Sequence, residues 1–125
     1  MVANFAPAGS HPAFFTGEVA LADSIYYLVF PNGHLFGYYT YLSGEWIYHF
    51  DMGYEYVYPL TGPAVYFFDL SSGHWWFTNS GDFPYLYDFT LNAWIYYFPA
   101  TNNPGHYSTN PRYFVNVTTG VIFTM

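Results

Sequence analysis

Short runs of alternating aromatic and apolar residues, separated by polar turns, make up most of the chain after Ser24. In one version of this unit a Tyr lies seven residues before a turn Gly, in segments 26–36, 66–76 and 113–123. In a second version a Tyr lies seven residues before a Trp, in segments 39–48 and 87–96. Gly33, Gly44, Gly73, Asn92 and Gly120 occupy the turn position, where Gly or Asn tolerates a positive φ angle. The pattern predicts about five antiparallel hairpins of two alternating types.

The predicted strands are apolar on both faces. Segments 46–48 and 94–96 each read Trp, Ile, Tyr, so Trp and Tyr point to one face and Ile points to the other. An antiparallel sheet with one solvated face would alternate apolar with polar residues, so these strands need cover on two sides. No segment carries a 3.6-residue apolar stripe. We therefore expect an all-β fold, with hairpins forming a sandwich or stacked twisted sheets and minimal helix.

The first part of the chain differs from the rest. Residues 1–24 are rich in Ala and Phe, are interrupted by Pro7 and Pro12, and contain no hairpin signal. We divide the chain into an extended N-terminal segment, residues 1–24, and an aromatic hairpin-repeat domain, residues 25–125. The N-terminal segment is a candidate edge strand or a strand exchanged with a second copy, with Phe5, Phe14 and Phe15 as its assembly residues.

Aromatic residues are 27% of this 125-residue chain and charged residues only 7%. Each buried aromatic ring hides about 150–250 Å² of surface, so we expect some rings to remain outside. Exposed apolar patches usually mark contact surfaces. Trp75 and Trp76 are adjacent in a predicted strand, so they must point to opposite faces. The candidate residues for contact with a ligand or partner are Trp46, Tyr48, Trp75, Trp76, Trp94 and Tyr96.

The charge balance argues against two classes of partner. The formal net charge is −7, Lys is absent, and Arg112 is the single fixed cation. Nucleic-acid binding requires several Lys or Arg residues, and a peripheral membrane helix requires a basic face. No run of 18 apolar residues is present, so no helix should span a bilayer. We expect neither a nucleic-acid partner nor membrane insertion, and we expect Arg112 to pair with a carboxylate such as Asp69 or Asp88.

Residues for catalysis or metal binding are sparse. Asp51 and Glu55 lie in a Gly-containing connection and are expected to be solvated. The five His residues lack the spacing of metal ligands, and no Gly-x-Ser-x-Gly motif is present. We predict no enzyme activity, no cofactor and no metal. Asn116 begins an acceptor motif for N-linked sugar, which also occurs often by chance.

Four segments carry a resemblance to a known family. They read NGHLFGYY (32–39), YHFDMGYE (48–55), FPYLYDF (83–89) and NPRYF (110–114). From Tyr26 onward the chain resembles an uncharacterised aromatic-rich module found near the C-terminus of predicted secreted or cell-surface bacterial proteins. The resemblance implies an extracellular or cell-surface location, no known enzyme activity and no established ligand. Residues 1–7 lack the features of a signal peptide, so secretion would require a signal removed beforehand or carried by a longer parent.

Two functions remain open. The first is a non-enzymatic structural or adhesion module that self-associates through sheet edges and aromatic faces, as a homo-oligomer or with a surface protein. The absence of Lys favours it, because Lys commonly protects edge strands. The alternative is a carbohydrate-binding module in which coplanar exposed rings stack on a polysaccharide.

Overall fold

Eleven antiparallel strands form one hydrogen-bonded sheet in the part of the chain that the structure describes. This computed structural model describes residues 11–99 and 111–125, so Phe5 lies outside the described residues. The strands are β1 (Val19–Ala20), β2 (Ile25–Val29), β3 (Leu35–Tyr41), β4 (Trp46–His49), β5 (Gly53–Pro59), β6 (Ala64–Asp69), β7 (His74–Asn79), β8 (Tyr85–Asp88), β9 (Ala93–Phe98), β10 (Tyr113–Asn116) and β11 (Ile122–Thr124).

The strands lie in the sheet in chain order, so each one pairs with its sequence neighbours. The predicted all-β fold of tandem antiparallel hairpins is confirmed. Helical structure among the described residues is limited to three 3-10 turns, at Ala13–Phe15, Ala22–Ser24 and Ser43–Glu45. None of the helices in these ranges is long and apolar enough to cross a membrane.

The predicted turn positions all have positive φ angles. At Gly73 the φ angle is 75°, and no atom lies within 4 Å of the place where a Cβ would be. Backbone conformation, rather than lack of space, therefore favours Gly at this position. Asn92 adopts a φ angle of 52° at the corresponding place in the β8–β9 turn. The spacing of Gly and Asn in the sequence thus identified the turns correctly.

The hairpin repeat begins earlier than the sequence indicated. In the turn around Asp23, the N–H of Leu21 donates to the carbonyl of Ile25 at 2.7 Å. The turn around Gly44 has the equivalent bond, at 2.8 Å. Asp23 has a φ angle of 61°, close to the 68° of Gly44. The predicted domain boundary between residues 24 and 25 therefore lies within the β1–β2 hairpin. Its turn was not recognised in the sequence because Asp23 occupies the position that Gly44 occupies in the β3–β4 turn.

The sheet curves around its inner face. Phe36 on β3 contacts Phe67 on β6, with ring centroids 6.4 Å apart, and Phe83 after β7, at 5.0 Å. Trp76 on β7 contacts Phe114 on β10 at 5.9 Å. Strands separated by two others in a flat sheet would be too far apart for such contacts, since neighbouring strands are about 4.8 Å apart. The curvature encloses one shared core.

Phe14 fills the centre of that core. Its side chain is fully buried in the 3-10 turn that precedes β1. The ring makes edge-to-face contacts, with centroid distances of 5.1–6.5 Å, to Phe30, Phe36, Phe67 and Phe83. These rings come from distant parts of the sheet, so Phe14 connects them.

The prediction that Phe14 and Phe15 belong to an assembly strand is wrong. Both rings are buried in the protein's own core, because the curved sheet leaves an interior that they fill. Of the N-terminal segment in the described range, Val19–Ala20 pairs as a strand, along the β2 edge. Glu18 secures the segment, since its Oε1 accepts hydrogen bonds from Tyr39 at 2.5 Å and Tyr41 at 2.6 Å.

We expect Phe14→Ala to lower the free energy of unfolding by about 3–5 kcal/mol, because it leaves a cavity among four rings. Phe98→Ala is the matched control, since Phe98 is 42% exposed at the end of β9. Urea denaturation followed by near-ultraviolet circular dichroism would measure both. Equal losses in the two variants would show that Phe14 is not part of the core.

Candidate functional site

The outward positions of β4–β9 form a surface of aromatic rings. Side chains alternate between the buried inner face and this outer face along each strand. We define the outer aromatic face as Trp46, Tyr48, Tyr54, Tyr56, Tyr58, Tyr66, Phe68, Trp75, Phe77, Tyr85, Tyr87, Trp94, Tyr96 and Phe98. No Asp, Glu, Lys, Arg or His occupies an outward position on these strands. These strand positions are therefore apolar apart from tyrosine hydroxyls, indole N–H groups and Asn79. Glu45, directly before β4, reaches the margin of the face, where its Oε1 accepts a hydrogen bond from Tyr56 at 3.1 Å.

Neighbouring rings on this face contact one another across the strands. Phe68 and Trp75 have ring centroids 5.3 Å apart, and Tyr56 and Trp75 lie 6.2 Å apart. In the ring contacts of Trp46, Trp75 and Trp94 the interplanar angles range from 53° to 89°. The rings support each other, but they do not form a flat platform.

Several rings on the outer aromatic face remain open to solvent. Trp75 is 40% exposed, Tyr54 48% and Tyr58 52%. The others among the predicted contact residues are half-buried on the same face, namely Trp46, Tyr48, Trp94 and Tyr96. The structure thus brings five of the six predicted contact residues onto one surface.

Trp76 is the exception, and its prediction as a contact residue is wrong. Its side chain is fully buried on the inner face, and its Nε1–H donates to Asp88 Oδ2 at 2.9 Å. Because Trp75 points outward, strand alternation directs Trp76 inward. The sequence could not decide between the two, since both residues are Trp.

The inner face carries polar side chains that cap turns, which sequence analysis missed. Asp88 Oδ1 accepts hydrogen bonds from the N–H groups of Thr90 and Leu91, both at 2.9 Å. His49 Nδ1 accepts from two backbone N–H groups in the same way. The turn-capping residues are His49, Asp69, Asp88 and Asn116 on the inner face, and Asn79 on the outer face. Except for Asn79, each lies four residues before a Gly or Asn with positive φ, a spacing visible in the sequence.

Asn116, the predicted glycosylation site, has this structural role. Its Oδ1 accepts hydrogen bonds from the N–H groups of Thr118 at 2.9 Å and Thr119 at 3.1 Å. The side chain is half-buried at the β10–β11 turn. Turn capping accounts for Asn at this position, and its glycosylation stays a prediction.

Arg112 binds Asp69 in the interior, which confirms the expected pairing with a carboxylate. Its two terminal nitrogens donate to the two Asp69 oxygens at 2.7 and 2.8 Å, and Nη1 also donates to the Met52 carbonyl at 3.1 Å. Burial alone would raise the pKa of Asp69, but the hydrogen bonds and charge of Arg112, together with hydrogen bonds from Glu55 and Ser72, outweigh burial and hold the pKa below its ordinary value. The same contacts keep Arg112 charged.

Glu55 is buried beside this pair, so the expectation that it is solvated is wrong. It lies opposite Asp69 in the β5–β6 register and 4.0 Å from Arg112 Nη1, and it has no exposed surface. Burial raises the pKa of Glu55 well above its ordinary range, and the Asp69 carboxylate raises it further. The surroundings therefore favour the protonated form of Glu55 and the ionised form of Asp69. Asp51 is half-buried and accepts a hydrogen bond from Tyr97.

A cavity of about 240 Å³ lies beside His49, lined by Phe36, Tyr38, Phe50 and Tyr97 among other residues. His49 Nε2 contacts the Phe36 carbonyl at 2.6 Å, and Nδ1 accepts from backbone N–H groups, so backbone atoms occupy both ring nitrogens. Burial lowers the pKa of His49 and favours the neutral ring. The ring is thus a structural element of the turn rather than a proton donor or acceptor for a ligand.

The described residues contain no cluster of three or more His, Asp or Glu that could hold a metal ion. The buried carboxyl groups of Asp69 and Asp88 are occupied by Arg112, by backbone N–H groups and by neighbouring side chains. The outer aromatic face is therefore the surface on which a functional proposal can rest.

Comparison with known proteins finds no match: no family model, no curated protein and no solved structure is similar to this chain. The resemblance to an aromatic-rich module of secreted or cell-surface proteins therefore stays a prediction from sequence motifs. Function has to be inferred from the geometry of the described residues.

We expect Arg112→Met to lower the free energy of unfolding by about 3–5 kcal/mol at pH 7, because it leaves Asp69 buried without its cation. A double variant, Arg112→Met with Asp69→Asn, should be more stable than the single variant. Asn removes the charge and keeps an oxygen acceptor for the N–H of Ser72. Denaturant unfolding of the three proteins would measure the differences.

The pH dependence of the stability difference between the unaltered protein and Arg112→Met gives a second measurement. The pKa of Asp69 is lower in the folded protein than its ordinary value of 3.8, so ionised Asp69 stabilises the fold at pH values above 3.8. This contribution is lost as the pH falls through the folded-state pKa. The difference between the unaltered protein and Arg112→Met should therefore be largest near neutral pH and shrink in acid. A double variant no more stable than the single one, or a difference independent of pH, would contradict the assigned ion pair.

Proposed function

We propose that the protein is a non-enzymatic structural or adhesion module, extracellular or at the cell surface, whose outer aromatic face binds a second copy of the chain. The observation that carries this proposal is the series of outward aromatic residues on β4–β9, which is interrupted at Ala64 and Asn79 and includes no charged side chain on these strands. The extracellular location rests on the sequence resemblance alone.

The composition of the face supports protein contact. Tyr and Trp are enriched at protein interfaces, where they supply large contact areas and most of the binding energy. Rings on this face are already held by neighbouring rings, so association would immobilise few additional side chains.

The distribution of charge supports a second copy as that partner. A net charge of −7 would make two copies repel if the carboxylates lay on the contact surface. Glu55, Asp69 and Asp88 are instead fully buried on the inner face. Two copies can thus bring their outer aromatic faces together, in a symmetric contact, with Glu45 as the carboxylate at the margin of the face, where its Oε1 accepts a hydrogen bond from Tyr56 at 3.1 Å.

The edges of the sheet are less suited to association. The edge strands are β1, with two residues, and β11, with three. Such short edges offer few backbone hydrogen bonds to an added strand, and short edge strands are a common protection against pairing. The proposal therefore assigns self-association to the face rather than to the edges.

The carbohydrate-binding alternative has weaker support. Stacking on the successive sugar units of a polysaccharide requires exposed rings that share a plane. The Tyr and Phe rings that contact Trp46, Trp75 and Trp94 are instead steeply inclined to them, so these neighbouring rings do not extend the plane of any of the three Trp rings. Binding to a polysaccharide is retained as an outcome of the experiment below.

We expect the unaltered protein to self-associate with rising concentration, and we expect Tyr54→Thr combined with Trp75→Thr to weaken this association at least tenfold, or about 1.4 kcal/mol. Thr preserves strand propensity while removing the rings. Ile122→Thr is the control, since Ile122 is 62% exposed on the edge strand β11. Analytical ultracentrifugation of the three proteins would measure the dissociation constants.

A protein that stays monomeric at every concentration would overturn the proposal, and so would a loss of association in the Ile122→Thr variant alone. A monomer that binds insoluble polysaccharide through Trp75 would establish the carbohydrate-binding alternative instead. Circular dichroism would verify that each variant keeps the fold.

A further inference from the structure

The outer surface carries pairs of tyrosines that face each other directly across neighbouring strands. Three such pairs have ring centroids 4.8–4.9 Å apart, namely Tyr27 with Tyr38, Tyr48 with Tyr54, and Tyr85 with Tyr96. In the last two pairs one partner is open to solvent, with Tyr54 48% and Tyr85 41% exposed. A fourth pair, Tyr58 with Tyr66, has its rings farther apart, at 6.2 Å.

This arrangement suits one particular covalent reaction of phenols. A one-electron oxidant removes one electron and one proton from each tyrosine, which leaves two phenoxyl radicals. The radicals join through the ring carbons next to the hydroxyl-bearing carbons, and both rings regain aromaticity by moving the two ring protons to the oxygens. With hydrogen peroxide as the oxidant, two tyrosines and one peroxide yield one dityrosine and two waters.

We propose that the outer surface is a site of oxidative cross-linking, in which a peroxide-dependent one-electron oxidant joins Tyr48 to Tyr54 and Tyr85 to Tyr96 within one chain. The strand register holds each pair at contact distance, so the two radicals need no diffusion to meet. Each bond would fasten a hairpin, β4–β5 in one case and β8–β9 in the other. The chain has no Cys, so disulfides cannot supply this kind of staple.

The interior tyrosines differ from these pairs in two respects. Tyr39 is fully buried and donates its hydroxyl to Glu18, and Tyr97 is 1% exposed and donates to Asp51. An external oxidant has no access to these rings. Tyr87 is half-buried and faces Trp94 rather than a second tyrosine. The geometry thus selects particular pairs among the many tyrosines.

The test uses the whole chain at a dilution where it is monomeric, treated with a haem peroxidase and hydrogen peroxide. Cleavage before Asp residues separates the members of both pairs, because Asp51 lies between Tyr48 and Tyr54, and Asp88 lies between Tyr85 and Tyr96. We expect dityrosine fluorescence and two cross-linked products, 23–50 joined to 51–68 and 82–87 joined to 88–125. Each should be lighter by two hydrogen atoms than the sum of its peptides.

Tyr54→Phe should abolish the first product and leave the second, whereas Tyr85→Phe should do the reverse. Both changes keep the ring and remove the hydroxyl that the reaction requires. Tyr58→Phe is the matched control, since Tyr58 is 52% exposed but its partner is farther away, and it should leave both products intact.

Three outcomes would overturn the inference: no dityrosine, cross-links only between separate chains, or undiminished products in the Phe variants. Because the links form within a monomer, the result does not depend on whether the outer aromatic face also binds a second copy.

Discussion

The buried ion pair between Arg112 and Asp69 is the interaction on which the rest of the structure depends. Arg112 is the single cation of the chain that is charged at all ordinary pH values, yet Glu55, Asp69 and Asp88 all lie in the interior. An unpaired buried charge costs several kcal/mol, so each of these groups needs its own solution. Asp69 pairs with the cation, burial favours the protonated form of Glu55 by raising its pKa, and Asp88 accepts hydrogen bonds from backbone N–H groups and from Trp76.

The inward-pointing polar side chains also determine which residues lie on the outer face of the sheet. A shift of one residue in the pairing of a strand would exchange its two faces, and here it would place aromatic rings inside and carboxylates outside. The capping residues resist such a shift, because each must reach the turn that follows its strand. The outward positions are then left to Tyr, Trp and Phe. The functional proposals follow from this arrangement, in which the charges face inward and the rings face the surroundings.

The sequence predicted the hairpins well, because Gly and Asn spacing reports turn geometry directly. Three features could not be predicted from the sequence, for physical reasons. Phe14 lies in a single 3-10 turn, which has no periodic pattern, and its ring contacts are far apart in sequence. Trp75 and Trp76 cannot be assigned to faces when both faces are apolar. Glu55 was expected in solvent because charged residues are rarely buried, and its burial depends on Asp69 and Arg112 approaching it in space.

The most direct test of this account is the titration of the Glu55 carboxyl group, followed by carbon-13 NMR of protein labelled in Glu and Asp side chains. We expect the Glu55 carboxyl group to titrate well above its ordinary pKa of 4.5, and the Asp69 carboxyl group to titrate below its ordinary pKa of 3.8. A Glu55 carboxyl that titrates in the ordinary range, near 4.5, would show that it faces solvent. In that case β5 would present the opposite face, and Tyr54, Tyr56 and Tyr58 would not belong to the outer aromatic face.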